Sequence, residues 1–78
     1  MILHEFSMGD VEDPYLYAAF PIGDWQETEQ GRWVMTNIIG EATFHCIPDM
    51  HNYGYRVVIT GELSPTNQTY FNLKWGIQ

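Results

Sequence analysis

Four side chains able to hold a metal or take part in nucleophilic chemistry lie within seven residues of one another: His45, Cys46, Asp49 and His51. Their spacing argues against a shared site. His45 and Cys46 are neighbours on an apolar run that reads as a strand, and neighbouring strand residues point to opposite faces. There is a single cysteine, so the paired spacing of a structural zinc site is missing. Cys46 beside a histidine is formally a nucleophile pair, but a thiol turned into a core is inert. A second group, Asp10, Glu12 and Asp13, has the carboxylates that Ca²⁺ or Mg²⁺ would take but not the spacing of a calcium loop. Neither a Gly-rich phosphate loop nor a catalytic carboxylate pair is present. The expectation is a chain that is not an enzyme and carries no cofactor or metal.

The aromatic residues raise a different chemistry. Tyr53, Tyr55, Tyr70 and Phe71 on a sheet would suit stacking with RNA bases. Charge opposes it. Ten acids face three bases, for a net charge of −7. Residues 1–31 hold seven of the acids (Glu5, Asp10, Glu12, Asp13, Asp24, Glu27, Glu29) and neither Lys nor Arg. Such a field repels phosphate backbones and favours basic partners or divalent cations. The expected partner is therefore a protein or a second copy of the chain, with no nucleic acid. A membrane is not expected either, since no run nears the roughly 18 apolar residues of a spanning helix. The first residues, MILHEF, lack the basic start and long apolar run of a signal peptide.

Seventy-eight residues make one small domain that buries only about 60% of its unfolded surface. The longest periodic stretch is Tyr53–Trp75. Tyr53, Tyr55, Val57, Ile59 and Leu63 alternate with polar positions, and so do Phe71, Leu73 and Trp75. A period of two predicts a half-buried hairpin, with Ser64-Pro65-Thr66-Asn67 as a type I turn. A five-residue loop, 64–68, keeps the apolar residues on one face and sets Phe71 over Gly61. Residues 24–39 read as the single helix: Asp24 caps it, Glu27 completes a capping box, and Gly40 supplies the left-handed residue beyond its end. Its apolar face comprises Trp25, Thr28, Gly31, Val34, Met35, Ile38 and Ile39, and Gly31 is expected to let the helix approach the sheet. Trp33 falls among Gln26, Glu29, Gln30, Thr36 and Asn37 on the polar side, where an indole is covered by Tyr15–Phe20, brought inward by a helix that slips from ideal geometry, or offered to a partner.

The remaining segments are shorter. Ile2–Met8 reads as an edge strand, with Ile2, His4, Phe6 and Met8 on one face. Residues 9–14 form an acidic turn, and 15–22 (YLYAAFPI) fit a helical turn, an extended arm or a strand, with Pro21 ending whatever forms. Residues 42–47 are a strand, and 48–52 turn the chain into the hairpin. The fold class is α+β: one domain, a strand and loop arm over 1–22, a helix over 24–39, and strands at 42–47, 53–63 and 69–75. The sheet has three or four antiparallel strands, with one helix packed on one face.

FSMGDVEDPYLYAAFPI, DWQETEQGRWVM and YGYRVVITGELSPTNQTYFNLKWG together resemble a group of small proteins of tailed phages that infect marine bacteria, cyanobacteria among them. The likeness spans most of the chain. That family brings no assigned activity, so the resemblance implies context alone: an accessory protein in the cytoplasm of an infected host cell. Phe20 and Gly23 stand where that pattern suggests polar or bulky residues. The expected function is non-enzymatic protein binding through the acidic N-terminal surface, with Asp10, Glu12, Asp13 and Trp33 as contact residues. The alternative is a structural or homo-oligomeric subunit, associated with the virion or assembled through the sheet.

Overall fold

The computed structural model describes residues 1–51 and 53–75. The elements run β1 (Ile2–Met8), α1 (Pro14–Gln26), α2 (Glu29–Asn37), β2 (Ile39–Asp49), β3 (Gly54–Glu62) and α3 (Pro65–Trp75). The class is α+β, with a three-stranded antiparallel sheet and three helices in place of the single helix expected. β3 is central, between β1 and β2. It holds the most continuous buried run, Val57-Val58-Ile59, as a strand with neighbours on both sides should.

Residues 69–75 are not a strand. Ser64 and Pro65 begin a helix instead of a hairpin turn. The Ser64 hydroxyl accepts from the Asn67 amide (3.3 Å), and the Ser64 carbonyl accepts from the Gln68 amide (2.8 Å). Pro65 takes the first helical position, where its missing N–H costs nothing. Phe71 and Trp75 are four apart, a separation that both a strand and a helix place on one face. Leu73 breaks the tie, because in the helix it turns outward and is 83% exposed. Gly61 is accordingly covered by the side chains of Ile38 and Leu3, not by Phe71.

The helix expected over 24–39 is two helices, and the first begins ten residues earlier. Asp13 caps α1 by accepting from the Leu16 amide (3.2 Å), followed by Pro14 in its first turn. Pro21 lies inside α1 and does not end it, although its position removes one helical hydrogen bond. The break falls at Glu27-Thr28. Thr28 donates to the Trp25 carbonyl (2.6 Å) and accepts from the Gly31 amide (3.1 Å), so it closes α1 and caps α2 with one hydroxyl. Asp24 is therefore in the last turn of α1, and Glu27 pairs with Arg32 (3.3 Å) instead of completing a capping box. Ile38 is already extended, and Gly40, with φ +76°, belongs to β2. There β2 advances from Ile39 to Thr43 while β3 moves only from Glu62 to Thr60, so β2 bulges.

A second bulge, at Leu3, resets the parity of β1. Leu3 turns into the core, and Ile2, expected on the inner face, is exposed. The helices cover the face that carries Phe6, Phe44, Val57 and Ile59. Glu5, Ser7, Thr43, His45, Ile47 and Arg56, on the opposite face, are exposed. The core joins Leu3, Trp25, Val34, Ile59, Leu63 and Phe71. Of the 48–52 turn, Pro48 and Asp49 extend β2, and Asn52 lies outside the described residues.

Gly31 faces the end of α1 and not the sheet. A Cβ there would collide with the Trp25 carbonyl and the Gln26 backbone. Gly31→Ala should therefore lower stability by about 1–3 kcal/mol, the usual cost of overpacking, despite alanine's better helix propensity. Chemical denaturation of the two proteins measures this; equal or higher stability in the variant would contradict the tight junction.

Candidate binding surface

α1 is apolar around most of its circumference, yet it is packed on only one side. At about 100° per residue, Ala18, Ile22 and Trp25 point inward, and Ala18 and Trp25 are buried. Leu16 and Phe20, one turn apart on the opposite side, are 60% and 70% exposed, and Tyr17 beside them is 49% exposed. A helix that is hydrophobic all round is ordinarily buried all round. Here half of it faces water. Exposed Glu12 and Asp13 precede this stripe, and exposed Asp24 and Glu27 follow it. Asp24 stands near the negative end of the α1 dipole, and the last turn has no base to compensate.

The expected contact residues separate into two places. Asp10 lies at the β2–β3 end of the sheet, lining a shallow depression with Asp49, Tyr53 and Tyr55. Asp13 is near enough to Cys46 for its charge to add to burial in pushing that thiol's pKa up. Asp10, Glu12 and Asp13 are all exposed. Trp33 belongs elsewhere. Its half-buried ring stacks on Tyr70 (5.1 Å) and meets Trp75 (5.4 Å) and Phe71 (6.2 Å), so α3 covers it and not Tyr15–Phe20. Lys74 pins the same helix: its ammonium reaches Glu29 (2.6 Å), whose hydrogen bond raises the lysine pKa, and sits over the Trp75 ring (5.1 Å).

His45 is exposed on the outer face of the sheet, and Cys46 is half-buried on the inner one. Among the described residues, no three His, Cys, Asp or Glu gather where they could hold a metal. Tyr70 and Phe71 are on α3 and Tyr55 is on β3, so these aromatics do not share one face of the sheet. Among the described residues, no helix is long and apolar enough to cross a membrane.

The exposed stripe of α1 was hidden in the segment 15–22 because Pro21 reads as a terminator. Asp13-Pro14, a cap followed by a first-turn proline, was the available signal of a helix start. Comparison with family models, with curated proteins and with solved structures finds no match to this chain.

One titratable group is built into the support of α1. The His4 ring stacks face to face on Trp25, with centroids 5.1 Å apart and planes 7° from parallel. Burial lowers its pKa, against a smaller opposing effect of Glu5. The unfolded chain then holds more protons than the native one just below pH 6.5, the ordinary value for the side chain, so acidification through that range destabilises the fold. Thermal melting should show wild type losing more stability than His4→Phe as pH drops from neutral to about 5. Parallel losses in the two proteins would remove His4 from the acid response.

Proposed function

We propose that this chain is a non-enzymatic binding protein whose acidic N-terminal surface receives a basic amphipathic segment of another protein. The observation that carries this is the outer face of α1: Leu16, Tyr17 and Phe20 are exposed and framed by Glu12, Asp13, Asp24 and Glu27. The apolar stripe supplies the desolvated centre of an interface, and the carboxylates supply its charged rim. The same charges disfavour a second copy docking here, since both partners would present acids. Asp10 extends the rim toward the β2–β3 end. Trp33 acts through α3, by holding Tyr70 and Trp75 in place. The phage resemblance gives this partner a setting, the cytoplasm of an infected bacterium, where a small accessory protein would engage a host or phage protein.

A defined probe tests the surface: a designed helix with Leu on one face and Lys on the other, compared with the same helix carrying Glu for Lys. The basic helix should bind, and the acidic one should not. Leu16→Asp and Phe20→Asp should each weaken binding about tenfold or more. The triple variant Asp10→Asn, Glu12→Gln, Asp13→Asn should weaken it less and flatten its salt dependence. Glu12→Gln alone should have a smaller effect than the triple variant, and Glu62→Gln, the same single charge change placed on β3, should have little effect. Binding that ignores Leu16 and Phe20 would overturn the proposal.

The uncovered outer face of the sheet favours a second reading, in which the chain is a structural subunit that self-associates. Val58 is buried there between Glu5 and His45, and Ile47 is 42% exposed. Under that reading the melting temperature rises with protein concentration; a constant value rejects it.

A further inference from the structure

The bulge in β2 leaves a hollow that no residue of the described chain fills. We infer that this hollow is a binding site for a small amphiphilic amine, an apolar body carrying one cationic group. It is a cleft of about 430 Å³ between the end of α1, the end of α2 and the start of β2. Small-molecule sites begin at a few hundred cubic ångströms, so the space suits a short alkyl chain or a single ring. Phe44 and Ile59 come from the sheet, Ile22 and Trp25 from α1 and Met35 from α2, and Ile38 is the extended residue that follows α2. The Gln26 amide donates to the Met35 sulfur (3.7 Å) between α1 and α2. Both are long side chains on the rim of the cleft, and a thioether adapts readily to what it covers.

Charge selects the head group. Glu41 is the one ionised residue in this lining, which contains neither Lys nor Arg. It is exposed, and among the described residues no salt bridge engages it. A carboxylate at the mouth of an apolar cleft attracts a cation and repels an anion. Fatty acids and phosphate esters are thereby disfavoured, in a chain already at −7. An amine that buries its hydrocarbon against Phe44 and Ile59 can keep its ammonium at Glu41 and in contact with water. This site is separate from the outer stripe of α1: Ile22 and Trp25 lie on the inward side of that helix, and Leu16 and Phe20 lie opposite.

Titration of the isotope-labelled full chain with octylamine, octanol and octanoate, followed by amide chemical shifts, tests this directly. Octylamine should shift Ile22, Met35, Ile38 and Phe44 and bind about fivefold tighter than octanol, the scale of one exposed ion pair. Octanoate should bind weakest. Glu41→Gln should remove the preference for amine over alcohol and leave octanol binding intact. Glu12→Gln, the same charge change on the acidic turn, should preserve the preference. Ala42→Phe, which fills the hollow, should abolish all three. Shifts centred on the acidic turn, or equal affinities for amine and alcohol in wild type, would overturn the assignment.

Discussion

The seat of Trp25 is the constraint on which the other packing depends. Its carbonyl accepts the Thr28 hydroxyl that ends one helix and caps the next. Its indole N–H donates to Gln30 (2.7 Å), tying the two helices together through a side chain. Its ring lies flat on His4 and joins the core with Leu3, Val34, Ile59, Leu63 and Phe71. Gly31 is required because the carbonyl of this residue occupies the space of a side chain. A small domain has few residues with which to connect its layers, and here one aromatic of α1 reaches both α2 and an edge strand.

That arrangement also explains why α1 can leave an apolar side in water. Its inward face is anchored at the far end by Trp25 and along its length by Ala18 and Ile22, so its orientation does not depend on what its other face meets. Near its start, Tyr15 packs on Phe44 (5.6 Å), and its hydroxyl accepts from the Cys46 amide (3.4 Å). The helix is held at both ends on the sheet side, and Leu16, Tyr17 and Phe20 are presented by a fixed element. A rigid display lowers the ordering cost of association.

The parts of this architecture that were legible in the sequence are those for which two independent signals agreed. β3 combined alternation with β-branched residues, whereas Ile2–Met8 was read from a weaker alternation that placed Ile2 on the wrong face, and the run 42–47 marked only the middle of β2. The acidic asymmetry of residues 1–31 needed no structure at all. The failures came where one pattern fits two periods. Phe71 and Trp75 satisfy both strand and helix spacing, and Ser64-Pro65 opens a type I turn and a helix alike. Asp24 and Thr28 are both good caps, and only tertiary packing of Trp25 decides that the chain breaks at Thr28. The bulges at Leu3 and after Ile39 were invisible because they are set by the partner strand. As a result, the inner face of β1 and the hollow beside β2 could not be read in advance.

Tyr15 has a further effect, on the margin of the sheet. Because its hydroxyl takes the Cys46 N–H, that amide points away from β3, and so does the position two residues on, Pro48, which has no N–H to offer. Two successive outward positions of β2 are thus closed to another strand, one by a phenol and one by an imino acid. β1, with no proline along Ile2–Met8, has no such stopper. Over this stretch the two margins of the sheet are therefore unequal, and β1 is the more open to an added strand. Two chains meeting across β1 would leave outward the β2 margins, where a phenol and an imino acid stand in the way of a third.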